Sequence, residues 1–296
     1  MGQEHWLSEK QLPVLRDLGV QFVARSGMED ALAAGVLRGR PFGGVSIAWS
    51  KDLNHLIKPL ANYRHKRVVC VELMANPSPI LLALIYMTFF DQSNRDRCIV
   101  ETIDAISILD NIISDHPLHK IILGGDLNTE LTGNSPFDAH WREFSEKHNL
   151  VLCDSLVSVS DGGVGGGSDS PPYTYIHQTL DQKKWNDHFF ISSSIASQTS
   201  DHQILDAGDN LSDHLPIMLK LLTLVPENPV MDEVTALPPS LKWDKCKEEE
   251  KQEYAGWSIA VLLNHLPYSL TAKTITVRMK HALHPFKQSM KISPIR

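Results

Sequence analysis

Residues 120–128, with the sequence KIILGGDLN, pass from an apolar run into a polar tip. An apolar run of this length predicts a buried strand, and its tip carries Asp126 and Asn128. A second polar tip, SDHLPI at residues 212–217, opens another apolar run. Asp126 and Asn128 are two residues apart, so on an extended chain they point to the same side. If the two strands lie in one sheet, these side chains and the acid–histidine pair of the second tip meet at its edge.

The side chains of the two tips have complementary chemistry. Carboxylate and amide oxygens are ligands for a hard cation, a carboxylate can take a proton from water, and an imidazolium can stabilise an oxyanion. Together they suit hydrolysis of a phosphate ester. Each motif alone is also compatible with a turn, so the prediction depends on the pair in this order. A further pair, Asp201-His202, lacks the following Leu-Pro and is predicted to lie in a surface loop.

Composition narrows the class of protein. The net charge of −7 over 296 residues argues against a generic nucleic-acid coat. Four cysteines without CxxC spacing argue against a zinc site or a disulfide framework and favour a reducing compartment. The first residues lack the basic and apolar regions of a secretory signal, and the apolar run at residues 80–90 is too short to span a bilayer. We therefore expect an intracellular protein without membrane contact.

Charge and proline content divide the chain into three predicted segments. Residues 1–224 hold most strand-like runs and a helical pattern at 94–114, which suggests sheets packed together with helices outside. The proline-rich residues 225–240 are predicted to be a linker. Residues 241–296 carry ten Lys or Arg against five Asp or Glu and are predicted to be a basic, partly ordered segment. Length and charge favour a solvated end over a phosphate-binding arm.

With further short motifs, the two tips resemble the endonuclease/exonuclease/phosphatase superfamily, and within it the apurinic-type endonuclease domain of non-LTR (LINE-type) retrotransposon polyproteins. The resemblance covers roughly residues 3–224. The matching segments are residues 3–7 (QEHWL), 39–47 (GRPFGGVSI), 85–87 (IYM), 124–128 (GGDLN), 173–175 (YTY), 185–188 (WNDH) and 212–217 (SDHLPI). The resemblance implies a four-layer α/β/β/α sandwich, in which two mixed sheets pack face to face with helices outside.

The resemblance also implies roles on the metal and water side of the site. Glu4 would bind the divalent metal, and Asp213 would assist there. Asp126 would orient and deprotonate the attacking water, and Asn128 would hydrogen-bond the phosphate oxygens or the nucleophile. Mg²⁺ is the implied cofactor, with Mn²⁺ as the alternative ion. From the residues alone, Glu4 is equally compatible with an exposed position near the start of the chain.

On the phosphate side, the resemblance implies that His214 stabilises the charge on the pentavalent phosphorus centre. Asp187 would hold and polarise the His214 ring, and Tyr86 would contact the phosphate. From the residues alone, Tyr86 is also compatible with a sheet residue at the surface and Asp187 with a turn acid. These seven residues form the predicted site.

The sequence departs from the family pattern at its start. The family opens with a strand that carries an active-site asparagine upstream of the Gln-Glu motif, and this chain begins at that motif. We therefore expect a truncated chain whose first strand is missing and whose neighbouring strands have unpaired edges. In addition, Asn186 takes the place of an expected isoleucine, and the segment after Tyr86 lacks a proline often found there.

The implied function is metal-dependent phosphodiester hydrolysis of DNA, as in retrotransposon nicking, by a monomer in the nucleus. Two alternatives stay open. The first is a phosphatase acting on a small phosphorylated molecule or a phospholipid, because the same centre serves both reactions. The second is an inactive relic that acts at most as a binding module, which the missing strand favours. The motif sequences QEHWL and SDHLP resemble those of retrotransposon endonucleases, which argues against the phosphatase.

Overall fold

The computed structural model describes residues 1–37, 42–133, 135–156, 173–177, 179–205, 212–226 and 270–281. Within these ranges the chain forms two six-stranded sheets, a two-stranded ribbon and three α-helices. The predicted α/β fold is confirmed. Of the helices in the described ranges, none combines the length and the apolar character that crossing a membrane requires.

One of the two six-stranded sheets carries two of the three α-helices and is called the second sheet. Its strand order is β4-β5-β6-β7-β11-β8. Its strands are β4 (Ile57–Pro59), β5 (Val68–Leu73), β6 (Ile80–Tyr86), β7 (Lys120–Asp126), β8 (Leu150–Leu152) and β11 (Asp187–Ser192). The central pair, β6 and β7, is parallel, and β7 pairs antiparallel with β11. Both β6 and β7 are apolar almost throughout because each is buried on both faces.

Two of the three α-helices in the described ranges cover the outer face of this sheet. The three are α1 (Glu29–Ala33), α2 (Arg95–Asp115) and α3 (Asp138–Lys147), of which α2 and α3 pack on the second sheet. The buried residues of α2 recur every three or four positions, from Cys98 to Ile112, so one stripe of the helix faces the core. The predicted helix at 94–114 matches α2 to within one residue at each end.

The first sheet has the strand order β12-β13-β14-β1-β3-β2. Its strands are β1 (Gly2–Gln3), β2 (Gln21–Arg25), β3 (Val45–Trp49), β12 (Thr199–Ile204), β13 (Ile217–Pro226) and β14 (Leu270–His281). The ribbon consists of β9 (Tyr175–His177) and β10 (Gln182–Lys184). Apolar side chains from both large sheets form one shared core between them. A smaller apolar cluster lies between β2 and the 3-10 helix Leu12–Leu18.

A strand from beyond the predicted linker lies inside the first sheet. β14 pairs antiparallel with β13 over ten residue pairs and parallel with β1 through Gly2–Lys280 and Gln3–His281. β1 therefore has partners on both sides, β14 and β3. The prediction that the neighbours of a missing first strand have unpaired edges is wrong, because β14 takes the place between β13 and β1.

β14 joins two of the three predicted segments in one sheet. The sheet of the predicted domain, residues 1–224, includes a strand from the predicted basic segment, residues 241–296. The predicted linker at 225–240 lies outside the described residues except for positions 225 and 226, as does most of the basic segment. The division into three segments stays a prediction.

Candidate active site

Three polar side chains lie at the same level on three neighbouring strands of the second sheet. Tyr86, at the end of β6, is in register with Asp126 at the end of β7. Asp126 is in turn in register with Asp187, the first residue of the antiparallel β11. This placement follows from the strand directions, because the end of β7 lies beside the beginning of β11. Asp126 and Asp187 are both buried.

His214 joins this row from the other sheet. It lies just before β13, and its Nδ1 is 2.7 Å from Asp187 Oδ2. Because a carboxylate only accepts hydrogen bonds, Nδ1–H is the donor. The opposite nitrogen, Nε2, is 3.9 Å from Asp126 Oδ2. The ring is therefore oriented by Asp187 and directs its other nitrogen towards Asp126.

Thr174 ties the two predicted motifs together and was not predicted as a site residue. Its buried hydroxyl oxygen accepts hydrogen bonds from the backbone N–H groups of residues 186 and 187, at 3.0 Å each. Its carbonyl accepts the N–H of Leu215 at 2.7 Å. The neighbouring Tyr175 ring lies 4.8 Å from the His214 ring, between centroids. The YTY motif at 173–175 was the sequence signal for this support.

Asn128 holds the carboxylate of Asp126. Its backbone N–H donates to Asp126 Oδ1 at 2.8 Å, and its side-chain Nδ2 donates to Asp126 Oδ2 at 3.3 Å and to the Met87 carbonyl at 2.9 Å. The Asn128 φ of +52° is one that asparagine adopts more readily than most residues. The predicted contact of Asn128 with the phosphate or nucleophile stays a prediction. The contacts in the structure assign it to orienting Asp126.

Glu4 reaches the same group of side chains through Tyr86. The Tyr86 hydroxyl donates to Glu4 Oε1 at 2.7 Å. Burial, together with the charges of Glu4 and Asp126, raises the pKa of Tyr86 far above its usual range, so its hydroxyl stays protonated. The Tyr86 hydroxyl therefore lies close to two carboxylates, those of Glu4 and Asp126. The structure thus brings together Glu4, Tyr86, Asp126, Asn128, Asp187 and His214.

Neighbouring residues fix the backbone around Glu4. Two of them, Gln3 and His5, belong to the QEHWL motif, but the sequence did not indicate their roles. Gln3 is buried and donates from Nε2 to the backbone of β6 at 2.9 Å. His5 accepts the Leu7 N–H at Nδ1 and donates from Nε2 to the Arg25 carbonyl, and burial lowers its pKa, so the ring is neutral. Gly44 has φ +102°, and a Cβ there would lie 2.3 Å from the His5 ring. These contacts hold Glu4 at its φ of +53°.

Asp213 lies at the rim of the site. Its side chain is exposed, and its Oδ1 accepts a hydrogen bond from the Ser212 hydroxyl at 3.4 Å. Within the described ranges, no three His, Cys, Asp or Glu side chains are arranged to hold a metal by themselves. A hard cation such as Mg²⁺ needs only one or two carboxylates, because water and phosphate oxygens complete its shell. Glu4 and Asp126 fit that requirement, whereas the metal role of Asp213 stays a prediction.

Two further histidines lie behind this group. His188 is completely buried, with Nδ1 2.8 Å from Asp154 Oδ2 and Nε2 2.8 Å from the Thr129 carbonyl. Both neighbours are acceptors, so the ring carries two protons. Burial opposes this charge, but the hydrogen bond and charge of Asp154 raise the pKa of His188 above its usual value. The predicted surface loop at Asp201-His202 is wrong, because His202 is buried in β12.

No protein-family model matches the sequence, and no curated protein matches it. The AP endonuclease LMAP from Leishmania major is 16% identical and has a TM-score of 0.54, covering 73% of this chain and 76% of that chain. The 3′ phosphatase NExo from Neisseria, bound to product DNA hairpin, is 16% identical with a TM-score of 0.50, covering 74% and 86%. The endonuclease domain of TRAS1, a telomere-specific non-LTR retrotransposon, is 13% identical with a TM-score of 0.45, covering 67% and 77%.

At these identities, the likeness to the Leishmania and Neisseria structures is one of fold. It agrees with the layers described above, two mixed sheets face to face with α2 and α3 on one outer side. It also agrees with the order of motifs along the sequence. The chain therefore shares the fold of the solved AP endonuclease and of the solved 3′ phosphatase, as the resemblance of its motifs implied.

Proposed function

We propose that this chain is a metal-dependent hydrolase that cleaves phosphodiester bonds in DNA. The observation that carries the proposal is the row Asp187–His214–Asp126, with Glu4 and Tyr86 beside it. It combines a base for water, an oriented imidazole and oxygen ligands for a cation at one end of the sheets. These three functions together suit hydrolysis of a phosphate ester.

The gap between His214 and Asp126 is where the reaction fits. At 3.9 Å, His214 Nε2 and Asp126 Oδ2 are too far apart for a direct hydrogen bond. A water or a phosphate oxygen can bridge them. Asp126, with both oxygens oriented by Asn128, would take the proton of the attacking water. His214 would donate from Nε2 to the phosphate oxygen on which charge develops.

Asp187 sets the state of the imidazole for this role. Its buried carboxylate accepts from Nδ1 at 2.7 Å, which keeps a proton on that nitrogen and would stabilise the imidazolium when the ring takes up a second proton. A fixed donor in a site that excludes water stabilises developing charge without having to reorient. The Thr174 hydroxyl accepts the backbone N–H of Asp187 at 3.0 Å, so Thr174 holds in place the residue that orients the His214 ring.

Glu4 is the residue proposed to hold the divalent cation, with Asp126 as the second carboxylate close to Tyr86. When bound, such a cation polarises the phosphate and neutralises its charge. Tyr86, protonated and hydrogen-bonded to Glu4 Oε1, fixes the direction of that carboxylate. These donors are all hard oxygens, which favours Mg²⁺ or Mn²⁺ over softer metals.

DNA is the proposed substrate on two grounds. Two proteins that share the fold are named as an AP endonuclease and as a 3′ phosphatase bound to product DNA hairpin. The motifs QEHWL and SDHLP resemble those of retrotransposon endonucleases. This resemblance favours nicking within a strand. A phosphatase is the second candidate, because one of the two proteins of this fold is named as a phosphatase.

A plasmid assay tests the proposal. The full chain should convert supercoiled plasmid to the open-circular form with Mg²⁺, and chelation by EDTA should stop the conversion. Asp126→Asn should abolish it, whereas Asp17→Asn, on the exposed side of the 3-10 helix Leu12–Leu18, should leave the rate unchanged. Phosphate release from phosphoinositides with an intact plasmid would establish the phosphatase instead. No turnover of either substrate would establish an inactive chain.

A further inference from the structure

A cleft of about 340 Å³ opens beside the candidate active site. Tyr86 forms part of its wall, and the same residue donates a hydrogen bond to Glu4. From Tyr86 the cleft extends to the N-terminal part of α2, where Arg97 and Glu101 line it. The cleft is therefore continuous with the group of side chains on which the proposed function rests.

Two phenylalanine rings line this cleft with much of their surface exposed. Phe89 is 66% exposed and Phe42 is 47% exposed. A single exposed apolar side chain needs no explanation. Two exposed aromatic rings in one cleft beside the candidate active site indicate a binding surface. Flat aromatic rings stack on nucleobases, and this contact tolerates every base because each base has a π-face.

Basic side chains line the same cleft. Its charged residues are Lys66, Arg67 and Arg97 against Asp30 and Glu101, which gives a net charge of +1. Lys66 Nζ lies 3.2 Å from Asp30 Oδ2, and Arg97 Nε lies 3.1 Å from Glu101 Oε1. The Arg97 side chain is 78% exposed, and ion pairs at the surface contribute little to stability. An arriving phosphate can therefore engage Lys66 and Arg97 at little cost to the fold.

We propose that this cleft binds the nucleotide next to the cleaved phosphodiester, with its base stacked on Phe89 and its phosphate facing Lys66 and Arg97. The inference rests on the proposed function, because it states which part of a DNA substrate fills the cleft. A base stacked within a duplex has no free face for such a ring. The nucleotide bound there is therefore unpaired, either in a single strand or extruded from a duplex such as a supercoiled plasmid.

Binding of labelled single strands to the full chain tests this inference. The Asp126→Asn background keeps the strand uncut during an anisotropy titration, and two strands of equal length are compared, one with bases and one made of abasic spacers. Phe89→Ala should weaken binding of the strand with bases about 5- to 150-fold, the equivalent of ~1–3 kcal/mol for one stacked base. Binding of the abasic strand should not change, and Phe89→Trp should keep the full affinity.

The matched control is Leu118→Ala, which changes a side chain that is 77% exposed beside the beginning of β7, at the opposite end from Asp126. It should leave both affinities unchanged. Equal weakening of both strands by Phe89→Ala, or no weakening of either, would overturn the inference. If the plasmid is nicked but binding does not depend on Phe89, the proposed function stands and this inference fails. If binding depends on Phe89 and the bases but no DNA is cut, the cleft is a nucleic-acid site and the proposed function fails.

Discussion

The chemistry proposed for this chain depends on how one imidazole is held. His214 receives its orientation from Asp187 at 2.7 Å and faces Asp126 across 3.9 Å. We expect His214→Ala to lower the turnover number by roughly 10²–10³, the effect of removing one donor to a developing oxyanion. DNA affinity should change little, because the contact strengthens only in the transition state.

Turnover and affinity for DNA, measured on the same labelled duplex, check this prediction. His177→Ala, which alters a histidine of the β9–β10 ribbon, serves as the control and should keep the wild-type rate. Equal losses in turnover and in affinity for His214→Ala would mean that the ring anchors the phosphate in the ground state or supports the fold.

His188 gives a prediction about the dependence of stability on pH. Its pKa is raised above the ordinary value of 6.5 in the folded chain, against the effect of burial, by Asp154. The stabilisation from its charge is therefore complete below the unfolded-state value and is lost as the pH rises through the folded-state pKa. The free energy of unfolding of the wild type should exceed that of His188→Gln by more at pH 5 than at pH 9.

Chemical denaturation of both proteins across this pH range measures the difference. Removing one member of a buried pair costs roughly 3–5 kcal/mol, so the effect at low pH is large enough to resolve. Asp154→Asn should show the same loss with the same direction of pH dependence. A difference that is constant with pH, or that grows as the pH rises, would contradict the charged state of His188.

The sequence predicted the polar side chains that meet at the candidate site. It did not predict the residues that support those side chains. Glu4, Asp126 and His214 belong to short motifs that mark strand ends, and such motifs predict a shared edge. The supporting residues Thr174 and His188 act through backbone groups of neighbouring elements. The YTY and WNDH motifs include Thr174 and His188 but do not indicate these roles, because tertiary contacts set which backbone group lies next to a side chain.

Among the secondary-structure elements, β7 and α2 were predictable, whereas the place of β14 in the sheet was not. The apolar run of β7 and the three-to-four spacing of α2 are strong local signals. The signal of β14 was the alternation of Ile275, Val277 and Met279 with polar residues, which is typical of a half-buried strand. Its partner β13 lies more than 40 residues earlier in the chain. Pairing at that separation cannot be derived from local pattern.

A matched pair of substitutions tests the contribution of β14. Val277 is buried between the sheets and Thr276, next to it, is exposed. Val277→Asp should lower the free energy of unfolding by on the order of 3 kcal/mol or more, because it places a charge in the core. Thr276→Asp should stay within about 0.5 kcal/mol of the wild type. Thermal unfolding followed by circular dichroism gives both values, and equal effects would mean that β14 does not pack as described.

The two ends of the described chain meet beside the candidate active site. The Met1 ammonium donates to the Arg278 carbonyl at 2.7 Å, and Gln3 is in register with His281. β1 has only two residues, and it positions Glu4 directly after them. The site therefore depends on a strand that the chain supplies from its far end, and folding of the sheet and assembly of the site are expected to be one event.

Removing and returning that strand tests this dependence. A chain shortened to residues 1–240 loses the buried side chains of Ile275, Val277 and Met279, worth roughly 5–9 kcal/mol at about 1.5–3 kcal/mol each. This is comparable with the whole margin of a domain, about 5–15 kcal/mol. We therefore expect the shortened chain to lose its cooperative melting transition and any plasmid nicking. A synthetic peptide of residues 266–285, added in trans, should restore both, whereas the same peptide with Val277→Asp should restore neither. A cooperative melt of the shortened chain at the wild-type temperature would show that β1 and β13 are stable without β14.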